Sequence, residues 1–335
     1  MREMVQQHRA DTSVELAAAL ARLRAIEDAA EVIVGATVLP NTKRAFGQDW
    51  ATWERFCARQ GVPATSVSAG LLVAFVTWLA HETPEKAAAA PSTIIRRLSG
   101  VLDGWRRHDL VVPRGITKDA RRVVTAYERA LAEANVKVGR GSAPALTVKD
   151  LRRISAALPA TLVGRRDRAL LVVGFGMAAR RSELANLLVE DVTVTEDGLS
   201  VVVRHSKTGH RTPAIPWGSD PGTCPVRTWG AWLEASGITA GPAFRSIDRH
   251  GNLGERISAD GVGAVITRAG ELAGLNARLT GHSVRSGLAT EARRAGHDAK
   301  TIAAQGGWKP NSATLYGYMQ IVDRWADNAV KGIGL

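Results

Sequence analysis

The chain has 335 residues, of which 45% are hydrophobic, and its 44 lysines and arginines against 32 aspartates and glutamates give a net charge of +12. This length suffices for two domains with cores of their own. No apolar run approaches the roughly 18 residues of a membrane span, and the N-terminal segment lacks the apolar stretch of a secretion signal, so we expect a cytoplasmic protein. The basic balance favours a polyanionic partner, with nucleic acid as the leading candidate.

Cysteine and aromatic content narrow the possibilities further. Cys57 and Cys224 lack the spacing of a zinc site or a disulfide framework, so we expect reduced thiols. Aromatic residues make up 5% of the chain, and nine of the seventeen are tryptophan. So few aromatics argue against a platform that stacks single-stranded bases, and duplex nucleic acid is the better candidate.

The N-terminal part of the chain predicts helices. An extension over residues 1–39 contains one helix between 12 and 34, indicated by apolar residues at helical spacing: Val14, Leu16, Leu20, Leu23 and Ile26. Residues 40–135 predict a small all-helical domain, whose first helix follows Pro40 and ends at Gly61. The side chains that this helix turns inward are Phe46, Trp50, Trp53 and Phe56. The other helices are predicted at 66–82, 91–108 and 117–135.

This helical domain is basic. Residues 41–135 include 14 lysines and arginines against 9 aspartates and glutamates, and arginine pairs recur at 96 and 97, at 106 and 107, and at 121 and 122. Such pairs are commonly solvated helix faces, but several of them on one helical module can follow a phosphate backbone.

Residues 136–146 predict a linker, because Gly139, Gly141 and Pro144 leave little to bury. Thr147 and Asp150 then form a capping-box pattern that begins a second domain over residues 147–335. In it, the β-rich runs 199–205 and 210–216 predict an antiparallel hairpin with Lys207 at its tip. Helices are predicted at 225–236 and 258–274, so the fold class is mainly α, with a small antiparallel sheet in an α+β second domain.

Two sequence patterns suggest alternative ligand-binding sites. Gly174, Gly176 and Ala179 fit G-x-G-x-x-A with Asp197 at the acidic position of a dinucleotide-binding fingerprint. Helical flanks before the motif and antiparallel strands after it do not supply the repeated strand–helix units of that fold. His205 and His210 flank the hairpin tip without carboxylate or thiolate partners, which makes them poor metal ligands.

The segment 279–318 concentrates chemically capable side chains on what is predicted as two helices and a connecting turn. His282 and Arg285 lie three residues apart on a helix that Gly296 should end, so both project from one face. A guanidinium beside an imidazole suits a phosphodiester. Trp308 supplies an apolar wall and one donor, and a tyrosine becomes a useful nucleophile when nearby cations lower its pKa or a neighbour removes its proton.

In this order along the chain, Arg180, Lys207, His282, Arg285, Trp308 and Tyr318 resemble the motif set of the tyrosine recombinases, the integrase family that includes Cre and the Xer proteins. The segments that carry the resemblance are ARRSEL, VVVRHSKTG, TGHSVRSGLAT and GGWKPNSATLYGY. The likeness covers about residues 40–335, with 40–135 matching the family's core-binding domain and 147–335 its catalytic domain, which together clamp duplex DNA. Trp308 stands where most members have histidine, as in Cre.

The resemblance implies a reaction without metal or other cofactor. The arginines Arg180 and Arg285 would hold the scissile phosphate, Tyr318 would attack it to form a 3′-phosphotyrosyl bond, and Lys207 would protonate the leaving 5′-oxygen. His282 would act as base or orienting donor, Trp308 as wall and donor, and Glu183 as support for an arginine. The interval from Trp308 to Tyr318 is one residue longer than usual, so Tyr316 remains the alternative nucleophile.

The resemblance also implies partners: two duplex DNA sites, three further copies of the chain in a tetramer, and accessory directionality factors. It places the protein on the nucleoid. The last residues, VDRWADNAVKGIGL, predict an amphipathic helix that docks on its own core or passes to a neighbour from about Val322. A monomeric type IB topoisomerase and a non-catalytic DNA-binding relative remain alternatives, to be separated by plasmid relaxation and two-site recombination assays.

Overall fold

A computed structural model describes residues 19–26, 29, 33, 40–81, 87–139, 141, 143–204, 209–309, 311–326, 328 and 330–332. The chain divides into two compact units between residues 141 and 142, inside the segment predicted as a linker. Of the predicted N-terminal helix, residues 19–26 are helical (α1) and exposed, including Leu20, Leu23 and Ile26. Val14 and Leu16 lie outside the described residues.

The described residues of the first unit form four further helices: α2 (Pro40–Gln60), α3 (Ala69–Ala80), α4 (Pro91–Arg107) and α5 (Lys118–Glu133). The four-helix prediction is confirmed, and Gly61 adopts the left-handed conformation that ends α2. Trp53 is the centre of the core, fully buried with its ring edge-on to Trp105 at 5.6 Å between centroids. Both indole N–H groups donate to the carbonyl oxygen of Ala64, at 2.7 and 3.0 Å. Phe46, predicted to face inward, is only half-buried.

Each of the three arginine pairs in this unit includes an arginine with an acidic partner. Arg96 and Arg97 both form ion pairs with the buried carboxylate of Asp49, Arg97 at 3.9 Å. Arg107 pairs with Asp103 one turn back on α4, at 2.8 Å. Burying a carboxylate without a partner is costly. The main role of Arg96 and Arg97 is therefore to stabilise this unit by neutralising Asp49.

The helices of the second unit are α6 (Val148–Ala157), α7 (Leu162–Gly176), α8 (Arg181–Asn186), α9 (Pro225–Ser236), α10 (Ala259–Leu272), α11 (Gly281–Arg294), α12 (Ala299–Gly306) and α13 (Ala313–Ala326), with a 3₁₀ turn at Val189–Asp191. The predicted capping box of α6 is confirmed: Thr147 Oγ1 accepts from the Asp150 amide, and the Asp150 carboxylate accepts from the Thr147 amide. The predicted helices at 225–236 and 258–274 are also confirmed as α9 and α10.

A small antiparallel sheet forms one side of the second unit, in the order β1 (Val192–Val194), β2 (Gly198–Val201) and β3 (Ala214–Pro216). The predicted hairpin is β2 with β3, extended by a bridge between Val203 and Arg211. Its tip, residues 205–208, lies outside the described residues and includes His205 and Lys207. A second hairpin, β4 (Arg245–Ile247) with β5 (Leu253–Arg256), was not predicted.

The dinucleotide-binding alternative is wrong. The apolar run before Gly174 is the helix α7, whereas that motif requires a strand. Added Cβ atoms at Gly174 and Gly176 would lie 2.9 Å from Leu184 and 2.4 Å from Ile215, so these glycines serve close packing of α7 on α8 and on β3. Asp197 lies in the turn between β1 and β2.

The C-terminal segment differs from the prediction of two helices and a turn. Its residues form α11, α12 and the start of α13, because Asp298 caps a separate short helix by accepting from the Thr301 amide at 2.7 Å. The tail is not a helix of its own: its first residues continue α13 to Ala326. None of the described helices combines the length and apolar character needed to cross a membrane.

Candidate active site

Arg180 lies at the turn between α7 and α8. Ala178 takes a left-handed backbone conformation, with φ of 46°, and this reverses the chain so that Arg180 becomes the N-cap of α8. The Arg180 amide donates to Glu183 Oε2 at 3.0 Å, and its Nη1 donates to Glu183 Oε1 at 2.6 Å. A third bond runs from Nη2 to the Gly307 carbonyl oxygen, at 3.4 Å. Because Glu183 lies three residues after Arg180, the carboxylate that caps the start of α8 also orients the Arg180 guanidinium.

Glu183 is almost fully buried between two arginines. Besides Arg180, it accepts from Arg211 Nη2 at 2.7 Å through Oε2. Burial alone would raise the pKa of Glu183, but the charge of Arg211 and the hydrogen bonds from Arg180 hold it below its ordinary value. The carboxylate therefore stays ionised and fixes two guanidinium groups.

Arg285 projects from α11 and is 4% exposed. Its Nη1 donates to the carbonyl oxygens of Ala178 and Gly306, the latter at 3.0 Å. Its guanidinium carbon lies 4.3 Å from the ring centroid of Trp308, a cation–π contact. Burial, and then the neighbouring Arg180, lower the pKa of Arg285 to about 10, which still leaves it charged at neutral pH.

Trp308 contacts both the Arg285 guanidinium and the ring of Tyr318. The two aromatic rings meet edge-on, with centroids 6.3 Å apart, and α13 holds its tyrosine there by packing Leu315 and Met319 against Ala289 and Ile302. Burial raises the pKa of Tyr318 above 10, although Arg285 opposes the shift. Arg285 lowers this pKa, as a nearby cation does, but desolvation of the phenolate raises it by more.

Tyr316 lies elsewhere. Two residues away on the same helix, it points to a different face, where it is 41% exposed and its hydroxyl donates to Asn311 Oδ1 at 3.4 Å. Of the two candidate nucleophiles, Tyr318 is the one that shares the aromatic contact with Trp308 and feels the charge of Arg285.

His282 sits in the first turn of α11, as predicted, with its imidazole accessible to solvent on one side. Partial burial lowers its pKa below 6.5, and the positive charges of Arg285, Arg181 and Arg180 lower it further. The imidazole is therefore neutral at pH 7 and able to accept a proton. These charges also mean that His282 lies within electrostatic reach of both predicted arginines.

The structure thus brings together five of the six predicted catalytic residues with Glu183, whereas Lys207 falls in the segment outside the described residues. Arg211 lies in no recognised motif and was not predicted as a site residue. Besides Glu183, this side chain donates from Nη1 to the carbonyl oxygens of Met177 at 2.9 Å and Gln305 at 2.6 Å. Strand alternation could have found it, since Arg211, Pro213 and Ile215 all face inward.

A basic face occupies α5 in the first unit. A cavity of about 430 Å³ there is lined by Lys118, Arg121, Arg122, Thr125, Ala126 and Arg129. Arg122 pairs with Asp119 at 3.1 Å, but both side chains are mostly exposed, and such a pair is weak. The third arginine pair of the sequence therefore lies on an exposed basic face.

The sequence matches the phage integrase family over residues 144–324. It is 30% identical over 296 residues to the integrase/recombinase xerD homolog of Selenomonas ruminantium, covering 87% of this chain and 84% of the relative. The matched segment contains every candidate catalytic residue named above. This chain belongs to the phage integrase family.

Solved structures share the fold. The Tn1549 transposon integrase in complex with transposon right end DNA aligns with a TM-score of 0.57 at 15% identity, over 87% of this chain and 92% of that one. A lambda integrase tetramer bound to a Holliday junction aligns with a TM-score of 0.51 at 16% identity, over 88% of this chain and 76% of that one. The mainly helical fold with a small antiparallel sheet is thereby confirmed.

Proposed function

We infer that the protein is a tyrosine-type site-specific DNA recombinase, which cleaves and rejoins duplex DNA through a 3′-phosphotyrosyl intermediate. Family membership supports the reaction class. The observation that carries the assignment to residues is the contact series from Arg285 over Trp308 to Tyr318, with Arg180 tied to the same segment through Gly307.

The arginines perform the electrostatic part of the reaction. Arg180 and Arg285 bind the non-bridging oxygens of the scissile phosphate and stabilise the charge that develops in the transition state. Both are held in place before DNA binds, Arg180 by Glu183 and Arg285 by the main chain. Such fixed donors need no reorganisation during the reaction, and this supports a large share of the rate enhancement.

Tyr318 is the proposed nucleophile. A phenol is protonated at neutral pH, and burial raises the pKa of Tyr318 further. Attack on phosphorus therefore requires a base, and the neutral imidazole of His282 is the proposed acceptor. The phosphorus–oxygen bond to the 5′-oxygen breaks as the bond to Tyr318 forms. Lys207 is the proposed acid that protonates the departing 5′-oxygen. Trp308 is proposed to form an apolar wall of the site and to donate a hydrogen bond from its indole N–H.

The phosphotyrosyl bond keeps the energy of the broken phosphodiester, so a 5′-hydroxyl of another strand can reseal it without a nucleotide cofactor. Exchange of DNA strands then requires two duplex sites and four copies of the chain. A related lambda integrase is described as a tetramer on a Holliday junction, and we propose the same assembly here, on nucleoid DNA with accessory directionality factors.

The test is capture of the covalent adduct. Protein incubated with a random library of nicked duplexes should form a denaturant-resistant DNA complex, and sequencing the trapped junctions should return one site. Tyr318→Phe should lose the adduct and Tyr316→Phe should retain it. An adduct in the Tyr318→Phe protein would overturn the nucleophile assignment, and relaxation of plasmids without any two-site recombination would favour a topoisomerase.

A further inference from the structure

A second arginine cluster lies in the second unit, away from the candidate active site. It lines a cavity of about 630 Å³ between α6, the first half of α7, the turn before α9 and α9 itself. The charged residues of its lining are Arg152, Arg165, Arg168, Arg227 and Asp220. Four arginines and one aspartate leave a surplus of three positive charges.

One of these guanidinium groups is rigidly held. Arg168 donates from Nε to Ser155 Oγ at 3.0 Å, and from Nη2 to the carbonyl oxygens of Ser155 and Leu158, both at 2.8 Å. Ser155 in turn donates to the Gly222 carbonyl oxygen at 2.5 Å, which ties α6 to the turn before α9. Burial, and then the charge of Arg165, lower the pKa of Arg168. The wall of the cavity thus contains a partly buried, hydrogen-bonded cation.

The one carboxylate of the lining does little to neutralise the cluster. Asp220 accepts from the amides of Gly222 and Thr223, at 2.8 and 3.1 Å, and lies 3.8 Å from Arg152 Nε. Among the described residues, no carboxylate forms an ion pair with Arg165, Arg168 or Arg227.

The donors of two arginines remain available to a ligand. Arg165 donates from Nε to the Ala160 carbonyl oxygen at a long 3.5 Å. Arg227 lies over the ring of Trp217, with its guanidinium carbon 6.0 Å from the centroid. Guanidinium forks match phosphate oxygens two at a time, so these side chains fit a phosphate better than a smaller anion.

The cluster is separate from the site of Arg180. Arg165 and Arg168 lie in the first half of α7, whereas Arg180 follows the end of that helix. At a rise of about 1.5 Å per residue, the distance along the helix from Arg165 to its last residue is about 16 Å. A phosphate held by Arg180 and Arg285 therefore does not occupy this cavity.

We propose that this cavity is a second phosphate-binding site of the protein. Clustered guanidinium groups repel one another, and an anion with two or more charges removes that repulsion. The phosphate has two possible sources: the backbone of a DNA segment beyond the cleaved linkage, or a free phosphorylated small molecule.

Inorganic pyrophosphate is the probe for the site itself, titrated into the full chain in a calorimeter. We expect the wild type to bind it at two sites, and Arg165→Gln/Arg227→Gln to lose one of them or bind it at least about tenfold more weakly. Neither side chain supports the fold by a strong bond, and an unchanged melting temperature would establish that. Arg249→Gln removes one exposed positive charge in the turn between β4 and β5. It is the control for loss of surface charge outside the cavity and should bind like the wild type.

Identical stoichiometry and affinity in the double variant would overturn the proposal, as would binding that Arg249→Gln weakens equally. The source of the phosphate follows from binding to a duplex at several salt concentrations. If the ligand is DNA, the slope of log affinity against log salt should fall by about one for each phosphate contact removed. An unchanged slope with pyrophosphate binding lost would assign the site to a free phosphate compound. Because the calorimetry needs no cleavage, it stands apart from the covalent-adduct test of the proposed reaction.

Discussion

Arg211 and Glu183 form a buried ion pair, with Nη2 and Oε2 2.7 Å apart and side chains that are 9% and 1% exposed. Arg211 bridges to Val203 in the extension of the β2–β3 hairpin, and Glu183 orients Arg180. The ion pair therefore connects this hairpin to an arginine that is proposed to bind phosphate. Arg211 is a positioning residue in this arrangement, since it acts through Glu183.

Replacing Arg211 should destabilise the protein and slow cleavage. Arg211→Met leaves the Glu183 carboxylate buried with one partner fewer, and loss of a buried partner costs about 3–5 kcal/mol. Arg211→Lys keeps the charge and should recover part of the adduct rate. Thermal unfolding and single-turnover adduct formation at saturating DNA measure the two effects. The control Arg122→Gln breaks an exposed pair and should change stability by less than about 1 kcal/mol. Equal adduct rates in Met and Lys variants at matched folded fraction would refute a positioning role.

Gly306 should tolerate no side chain, because a Cβ there would lie 1.8 Å from Cζ3 of Trp308. Gly306→Ala should displace the indole from its contacts with Arg285 and Tyr318 and lower the adduct rate by about a hundredfold or more. Gly317→Ala is the matched control, since its Cβ meets nothing within 4 Å and it lies inside α13. That change should preserve the rate and raise stability by about 0.5–1 kcal/mol. A Gly306→Ala protein with the wild-type adduct rate would show that the reaction does not depend on this position of the Trp308 indole.

The proton affinity of His282 should respond to its cationic neighbours. Arg181 is one of the charges that lower its pKa, so Arg181→Gln should raise that pKa towards 6.5. If His282 is the base, the acid limb of the cleavage rate should move to higher pH in the variant. Imidazole chemical shifts measure the pKa directly. Arg294→Gln, twelve residues along the same helix and about 18 Å away, should leave it unchanged, and an upward shift there of equal size would contradict the local explanation.

The same histidine links stability to pH. Its folded pKa lies below the unfolded value of 6.5, so the unfolded chain takes up the proton first. The free energy of unfolding should be highest above pH 6.5 and should decline as pH falls from 6.5 towards the folded pKa. Denaturant titrations of the wild type and His282→Gln should differ in this slope only within that window, and parallel curves would remove His282 as the cause.

Assembly should depend on the residues that follow Asp323. The first half of α13 packs on α11 and α12 of the same chain through Leu315 and Met319, so a chain shortened after Asp323 should still fold. If the tail passes to a neighbour, that chain should bind single sites weakly and form no tetramer on DNA. Analytical ultracentrifugation with duplex sites measures the species present. A shortened chain that assembles like the full one would eliminate the exchange.

Local signals predicted much of this molecule. The capping pattern of Thr147 and the spacing of Trp53 and Phe56 located helices because their causes lie within a few residues. Strands β1 and β4 have only three residues each, too few for an alternating pattern to register. The apolar run before Gly174 was ambiguous between strand and helix, and only packing against Leu184 and Ile215 decides it.

The site was predictable in its members but not in its electrostatics. Motif order pointed to Arg180, Arg285 and Trp308, whereas the raised pKa of Tyr318 depends on burial by residues distant in sequence. Arg211 lacked a motif and becomes conspicuous only when α7, α12 and the hairpin meet around it. The catalytic roles of all these residues, and of Lys207 and the two tyrosines, stay predictions.

Arg285 is anchored to the main chain at Ala178 and Gly306, on the two segments that lead to Arg180 and Trp308. If Arg285 holds the scissile phosphate as proposed, a chain in which these two segments have separated should not cleave DNA even with its tyrosine intact. Cleavage would then depend on completed folding of the second unit.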